Sequence, residues 1–188
     1  MDTSSAIATD AYKRGQVRTE YENGLVTWCN LSFSEEWPVC VAGQDYQVPP
    51  AGFVAHRPED ILVHSATVNG QFYERVSCED YLYLDGHDQF VKTPEVQGRG
   101  TVAVRRGETD TWWVIPALEA EDVGVSLAWL GEGDSDYRAD ACDRTGRAIK
   151  ETDASVEDGI LRVSFVPDAS VVKYRIRVRP TKTRLPFT

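Results

Sequence analysis

Residues that could carry acid–base chemistry are numerous in this chain but show no catalytic pattern. The sequence has 30 Asp and Glu residues. Glycoside hydrolysis needs two carboxyl groups at a fixed distance across a cleft. The adjacent pairs Glu35-Glu36 and Glu79-Asp80 fall in a predicted hairpin turn and at a predicted strand start, where solvated loop charges are common. We therefore expect no catalytic residue in this chain.

Metal-binding and nucleophile motifs are not predicted either. His56, His64 and His87 match no zinc spacing. The segment Asp85-Gly86-His87-Asp88 offers oxygen ligands for calcium but lacks the further ligands of a calcium loop, so a tight turn is the preferred interpretation. The sequence contains no GxSxG, Walker A or GxGxxG motif. We expect no metal site and no cofactor.

The four cysteines, Cys29, Cys40, Cys78 and Cys142, include no CxxC pair, which argues against a zinc ribbon or a thioredoxin-type motif. Cys29 and Cys40 flank a predicted hairpin centred near Ser34. Opposed residues on such strands can come close enough to form a disulfide. The alternative, which we favour, is that both are small buried thiols.

Tryptophans are the best candidates for ligand contacts, because an indole face stacks on the apolar face of a sugar ring. We take Trp112, Trp113 and Trp37 as candidate carbohydrate-binding residues. Trp112 and Trp113 are adjacent in a predicted strand, so they should point to opposite faces, with one of them nearer the surface. The alternative is that tryptophans fill the core, and most of the five in the chain are expected to do so.

A basic stripe is predicted on the last strand. In Val172–Val178 apolar residues alternate with Lys173, Arg175 and Arg177, and Arg179 continues the basic face. Such a stripe could attract an acidic polysaccharide or a neighbouring acidic domain. The interpretation we favour is an outward face whose charges discourage pairing at a sheet edge.

The elements that must position these residues are predicted to be β-strands. Turn sequences flanked by strand-forming residues recur along the chain: Asn23-Gly24, Asn69-Gly70, Asp85-Gly86, Asp143–Gly146 and Asp158-Gly159. Asn-Gly and Asp-Gly tolerate the positive φ angles of tight hairpin turns. No segment shows a sustained helical pattern of apolar residues. We therefore expect an all-β fold with little helix.

These strands are predicted to form two packed antiparallel β-sandwich units, the second of them immunoglobulin-like. With Pro116–Asp122 as connector, the predicted parts are an N-terminal tail at 1–13, a β-sandwich domain at 14–117 and a smaller β domain at 118–188. Charge supports the division. The first 119 residues carry 9 Lys and Arg against 18 Asp and Glu, and the remainder carries 11 against 12.

Composition narrows the possible partners. The 188 residues are 41% hydrophobic, which suffices for a globular core. A formal net charge of −10 argues against nucleic acid and against an anionic membrane as partners. No apolar stretch is long enough to span a membrane, and the first residues do not resemble a signal peptide. The compartment is left open, with an extracellular or periplasmic location expected if the chain belongs to a secreted enzyme.

Four segments carry a resemblance to a known group of proteins. Tyr21–Leu25 leads to Asn30–Ser32, Glu36–Val39 follows, and Val48–Ala55 closes the series. This series resembles the β-rich region at the C-terminal end of some bacterial glycoside-hydrolase-like proteins with a TIM-barrel catalytic domain. Tyr83–Gly86 is similar to a later element of that region.

The resemblance implies a non-catalytic accessory or structural module of a carbohydrate-active enzyme. In such proteins the catalytic carboxylates lie on the barrel, which this chain lacks, so no catalytic residue is carried over. The expected partner is the catalytic domain of a larger protein, or a glycan. The alternatives are a free-standing carbohydrate-binding or adhesion module and, third, an enzyme in its own right. The chain could be an excised domain, a truncated gene product or an independent protein.

Within the matched segments two residues carry specific structural predictions. Gly24 is expected at positive φ in a hairpin turn. Phe53, which follows the turn permitted by Gly52, is expected to be buried against the opposite sheet. The rival interpretation makes Phe53 part of an exposed binding rim. Asn30-Leu31-Ser32 also matches a glycosylation sequon.

Overall fold

The computed structural model describes residues 11–108, 111–117, 119–131, 136–166 and 168–179. Within these ranges only the backbone is described at five positions, namely residues 11, 12, 136, 178 and 179. Strands make up 63% of the structure, which has one short helix and antiparallel pairing. The predicted all-β class is therefore confirmed.

The chain divides into two compact units, Met1–Asp85 and Gly86–Thr188. A 3-10 turn at Ala11–Arg14 precedes the first strand. The first unit contains seven strands and the start of an eighth: β1 (Gln16–Glu20), β2 (Val26–Asn30), β3 (Trp37–Val41), β4 (Gln44–Val48), β5 (Phe53–Arg57), β6 (Ile61–Val68), β7 (Gln71–Ser77) and β8 (Tyr81–Lys92).

The main sheet of the first unit has the strand order β1-β2-β5-β6-β7-β8. The β3–β4 hairpin joins it where Gln47 of β4 pairs with Thr67 of β6. One face of the sheet is buried, and Tyr46 of β4 packs against that face. Side chains of this core come from alternate positions on neighbouring strands: Val54, His64, Ala66, Tyr73, Arg75 and Leu84. The period-2 pattern of the strands thus produces one buried face and one open face.

Of the Asn-Gly and Asp-Gly turns predicted in the first unit, two form at the predicted positions and one does not. Asn69 and Gly70 have φ 51° and 81° between β6 and β7, as a type I′ turn requires. Gly24 has the predicted positive φ, 82°, in the connection of β1 to β2, but Asn23 does not, so this turn is not of type I′. The predicted turn at Asp85-Gly86 is wrong, because both residues lie inside β8. That strand instead bends at His87, which has φ 51°.

The predicted hairpin centred near Ser34 is also wrong. β2 pairs with β1 and β5, whereas β3 pairs with β4 through a turn at Ala42-Gly43 with φ 51° and 81°. Cys29 and Cys40 therefore lie on strands that do not face each other. Every described cysteine is a free thiol, so the Cys29–Cys40 disulfide is not formed. The favoured prediction of two buried thiols is also wrong, because Cys40 is exposed and Cys29 is half-buried.

The second unit contains the end of β8 and eight further strands. These are β9 (Val96–Arg106), β10 (Thr111–Pro116), β11 (Glu121–Ser126), β12 (Asp136–Cys142), β13 (Ala148–Thr152), β14 (Ala154–Glu157), β15 (Ile160–Val163) and β16 (Lys173–Arg179). A single helical turn, α1 (Leu127–Leu130), follows β11. It ends at Gly131 in the left-handed conformation, with φ 77°.

The strand order in the second unit is β8-β9-β10-β16-β12-β13, with β11 paired to β9 and β15, and β14 paired to β15. The predicted turn at Asp158-Gly159 joins β14 to β15, and the predicted loop Asp143–Gly146 joins β12 to β13. Alternate residues of the central strands fill the core: Val102, Val104, Trp112, Val114, Ala139, Ala141, Tyr174 and Ile176.

The division between units lies between Asp85 and Gly86, whereas the predicted connector Pro116–Asp122 lies inside the second unit. Strands before and after that connector pair directly, β9 with β11 and β10 with β16. Backbone hydrogen bonds therefore run across the boundary that charge and the connector suggested at residue 118.

Candidate functional site

The open face of the first unit's sheet carries exposed apolar side chains at its β1–β2–β5 side. Val17 lies opposite Cys29, and Cys29 lies opposite Phe53, so these side chains form a row on one face. Val17 is 45% exposed and Phe53 37%, while Cys29 is half-buried. Leu31, two residues beyond Cys29, is 63% exposed. We call Val17, Cys29, Leu31 and Phe53 the outer patch.

The predicted burial of Phe53 against the opposite sheet is therefore wrong. Side chains alternate along β5, and the next residue, Val54, occupies the core position with no exposed surface. Gly52 is closely packed: a Cβ there would lie 2.7 Å from the carbonyl oxygen of Ser65. With Gly52 and Val54 directed inward, Phe53 must point outward.

A loop beside the outer patch carries the most exposed large side chain among the described residues. Phe33, in the loop between β2 and β3, is fully exposed. The next two large residues of the loop, Glu35 and Glu36, are also exposed. Isolated apolar side chains on a surface need no explanation, but contiguous exposed apolar residues indicate an interaction surface. Phe33 and Leu31 are two residues apart in the same loop, so a partner that covers the outer patch at Leu31 can also reach Phe33.

The loop is fixed from beneath by Asn30, the last residue of β2, which has no exposed surface. Its side-chain nitrogen donates hydrogen bonds of 2.8 Å to the carbonyl oxygens of Glu35 and Val48. Its side-chain oxygen accepts one from the backbone of Ser32 at 3.1 Å. Both amide hydrogens are used and buried, so Asn30 is not accessible for glycosylation in the folded protein, despite its sequon.

Ser32 completes the support of the loop. Its hydroxyl oxygen accepts hydrogen bonds from the backbone nitrogens of Ser34 at 3.3 Å and Glu35 at 3.0 Å. Local bonds of this kind hold a loop in one conformation. Leu31 and Phe33 are therefore presented by a preorganised loop, which lowers the entropy lost when a partner binds.

The three candidate tryptophans lie in different environments. Trp112 is only 4% exposed and packs on Trp129 with ring centroids 4.7 Å apart, so it belongs to the core and offers no face to a sugar ring. Trp37 is half-buried on β3 opposite Val48. Trp113 is also half-buried and lies on the face opposite to Trp112, as the alternation predicts. The structure does not bring these three side chains together in one site.

Trp113 lies beside the predicted basic stripe. The ammonium group of Lys173 is 4.5 Å from the centroid of its ring, within the range of a cation–π contact. The turn between β12 and β13 also approaches the ring, since a Cβ at Gly146 would lie 3.2 Å from Cη2 of Trp113. Gly146 has φ 90°, so both the backbone conformation and the close approach require glycine.

His64 forms a buried polar cluster that the sequence analysis did not identify. It packs edge-on against Tyr46 and Tyr73, with ring centroids 5.2 Å and 4.8 Å away, and neither ring nitrogen has a hydrogen-bond partner at normal geometry. Burial, reinforced by the positive charge of Arg75 and opposed by the Tyr73 backbone, lowers the pKa of His64 to about 4. His64 shares its strand face with Ala66, an alternation that indicates a core histidine.

The described residues show no group of three or more His, Cys, Asp or Glu side chains that could hold a metal ion. No helix in the described part of the chain is long and apolar enough to cross a membrane. Two open pockets lie in the second unit, of about 510 and 370 Å³. The larger is lined mainly by β11 and β15 and the segment that follows β15, and the smaller by β12 and the β13–β14 connection.

Comparison of the chain with protein-family models, with curated proteins and with solved structures found no match in any of the three.

Proposed function

We propose that this chain is a non-catalytic β-sandwich accessory module of a carbohydrate-active enzyme, with an immunoglobulin-like second part. In this proposal it packs against the catalytic domain of the larger protein and stabilises or positions that domain. The alternative is a free-standing carbohydrate-binding or adhesion module, which the partial exposure of Trp113 favours.

The exposure of the outer patch is the observation that carries the proposal. All four segments of the clear resemblance lie in the first unit. If those segments served only as scaffold, their large apolar residues would be expected in the core. Instead Tyr21, Leu31 and Phe53 are exposed, and Phe33 lies between two of the segments. Surface of this kind is stabilised when a partner covers it.

The chemistry of the loop defines the partner surface. Phe33 and Leu31 fit an apolar depression, and burial of one such side chain contributes about 1.5–3 kcal/mol. The exposed carboxylates of Glu35 and Glu36 lie next to them along the chain and favour Lys or Arg at the rim of that depression. The proposed occupant is the TIM-barrel catalytic domain of the same protein.

The test is association of this chain with the barrel domain encoded beside it. Both parts are purified separately and their dissociation constant is measured by isothermal titration calorimetry. We expect Phe33→Ser and Leu31→Ser each to weaken binding by about tenfold or more, because each removes apolar surface at the contact. Val156→Ser is the matched control, since Val156 is an exposed apolar residue of the second unit.

Melting temperatures distinguish a variant that has lost partner binding from one that has lost its fold. Phe33 is fully exposed, so Phe33→Ser should leave the melting temperature of the isolated chain unchanged. The proposal would be contradicted if neither Phe33→Ser nor Leu31→Ser changed the dissociation constant. It would also be contradicted if Val156→Ser weakened binding as much as they do. A neighbouring coding region without a barrel domain would favour the free-standing module instead.

A further inference from the structure

The open sheet face around Trp113 collects basic side chains from adjacent strands of the second unit. Residues directly opposite each other on antiparallel strands share a face. One row across β9, β10, β16, β12 and β13 consists of Arg105, Trp113, Arg175, Asp140 and Glu151. The next positions on the same face place Arg177 opposite Arg138, with Lys173 at the other side of Arg175.

We call these residues the basic face: Arg105, Arg138, Lys173, Arg175, Arg177, Asp140, Glu151 and Trp113. It holds five cations against two carboxylates, in a chain whose formal net charge is −10. The local charge is thus opposite in sign to that of the whole protein. The predicted fourth member of the stripe, Arg179, has a side chain outside the described residues.

The sequence-based interpretation of the stripe as protection for a sheet edge is wrong. β16 lies between β10 and β12 and is hydrogen-bonded on both sides, so it has no free edge to protect. The charges of Lys173, Arg175 and Arg177 need another explanation.

Asp140 organises the centre of the basic face. Its carboxylate is almost fully buried and accepts hydrogen bonds from Nε and Nη2 of Arg175 at 3.2 and 2.8 Å, and from Nη2 of Arg177 at 2.9 Å. One carboxylate therefore holds two guanidinium groups and balances the charge of only one. Both guanidinium groups remain partly exposed, although Nε of Arg177 is itself buried and has no hydrogen-bond partner.

Trp113 holds a third cation in place through its contact with Lys173. The result is a half-buried indole beside three cations from one strand, two of them fixed by Asp140. A guanidinium group binds a carboxylate or a sulfate through a pair of parallel hydrogen bonds. An aromatic ring offers a surface to the apolar face of a sugar. Together these groups match a sugar ring that carries an anionic substituent.

We propose that the basic face binds a linear acidic polysaccharide, one whose sugars carry carboxylate or sulfate groups. An open face built from five strands, each about 4.8 Å from the next, suits an extended polymer better than a small enclosed ligand. This binding site is additional to the docking role of the outer patch and does not depend on it.

The test uses the isolated chain and polygalacturonate as the probe, with dextran as the neutral comparison. Affinity electrophoresis and calorimetry are run in 20 mM and 300 mM NaCl. We expect binding to polygalacturonate but not to dextran, and a loss of about tenfold in affinity at the higher salt, because the contacting charges are solvent-accessible. Fluorescence of Trp113 should change on binding, and Trp113→Phe should abolish that change.

Substitutions locate the site. Arg177→Gln and Lys173→Gln should each weaken binding by about tenfold, the typical effect of losing a charged hydrogen bond. Arg162→Gln is the matched control, because Arg162 is a part-exposed arginine of the same unit on β15. It should change the affinity less than about twofold. Far-ultraviolet circular dichroism verifies that each variant is folded.

Three results would overturn the proposal. The first is no binding to polygalacturonate at 20 mM NaCl. The second is an equal loss of affinity in Arg162→Gln and Arg177→Gln, which would indicate attraction by general charge. The third is equal or tighter binding of a single-stranded oligodeoxythymidine, which would assign the face to nucleic acid rather than to a polysaccharide.

Discussion

The side-chain amide of Asn30 donates a 2.8 Å hydrogen bond to the carbonyl oxygen of Val48, linking the end of β2 to the end of β4. These strands are not paired in the sheet. The same nitrogen also binds the carbonyl oxygen of Glu35, so one buried side chain fixes the loop that presents Phe33.

Asn30→Ala should destabilise the protein by about 2–4 kcal/mol, because two carbonyl oxygens lose their buried partner. Urea unfolding followed by circular dichroism measures the change. Asn23→Ala is the control: Asn23 is exposed and accepts a single hydrogen bond, from the Leu25 backbone at 3.1 Å, so its loss should cost under about 1 kcal/mol. Equal effects of the two substitutions would show that Asn30 has no special role.

Phe53→Ala should be much milder than truncation of a core residue. The Phe53 side chain is partly solvated, so we expect a cost of about 1 kcal/mol or less. Leu84→Ala, in the core of the same unit, should cost about 2–5 kcal/mol because it leaves a cavity. Thermal melts of both variants provide the comparison. A drop for Phe53→Ala as large as that for Leu84→Ala would contradict the exposed position of Phe53.

His64 should make the protein less stable as the pH falls. The folded state holds the pKa of His64 near 4, below its ordinary value of 6.5, so between these values the unfolded state binds more protons. The neutral imidazole makes its full contribution to the free energy of unfolding above about pH 6.5. This contribution is lost progressively as the pH falls towards 4, by about 3 kcal/mol in total.

Urea unfolding at several pH values between 7.5 and 4.5 tests this dependence. His64→Phe should lose less stability than the wild type over this range, because the buried side chain can no longer be protonated. His87→Gln, on the exposed part of β8, serves as control and should follow the wild type. Identical slopes for wild type and His64→Phe would rule out the buried imidazole as the source.

Asp140→Ala should destabilise the second unit by about 1–3 kcal/mol. The substitution leaves Arg175 and Arg177 side by side without their shared carboxylate, and their partial exposure limits the cost. Glu151→Ala is the control, since its carboxylate is exposed and lies 3.5 Å from Arg138. It should change stability by less than about 0.5 kcal/mol. Both are measured by urea unfolding. An Asp140→Ala variant as stable as the wild type would contradict the role of Asp140 in holding Arg175 and Arg177.

The isolated chain should not hydrolyse glycosides. The proposed accessory role assigns catalysis to a partner domain, and the sequence of this chain contains no GxSxG, Walker A or GxGxxG motif. A panel of chromogenic glycosides tests the expectation. Turnover that disappears on replacement of one specific Asp or Glu would require an active site in this chain.

Local chemistry made much of the fold predictable. Asn69-Gly70 and Asp158-Gly159 form turns at the expected places, because these residues adopt positive φ at low cost. Ala42-Gly43 forms a turn of the same conformation but was missed, since alanine gives no turn signal. Asp85-Gly86 has the residue types of a tight turn, but both residues lie within β8. Pairing between distant segments, not local preference, decides such positions.

For the candidate sites, too, the sequence predicts the local arrangement of residues but not the contacts between distant segments. The alternation of side chains along β10 correctly predicted that Trp112 and Trp113 lie on opposite faces of the strand. It could not show that Asp140, from a strand far away in sequence, lies beneath Arg175 and Arg177. Nor could it show which residue of the Gly52–Val54 segment takes the core position, because that depends on how β5 pairs with β2 and β6.

The place of β16 in the sheet has a consequence for synthesis of the protein. β16 is the last described strand to leave the ribosome, yet it lies between β10 and β12. Until residues 173–179 emerge, β10 and β12 each lack a neighbour and expose backbone groups that can pair with other nascent chains. The second unit therefore completes its sheet only after residues 173–179 have been synthesised, and termination before Lys173 leaves an aggregation-prone product.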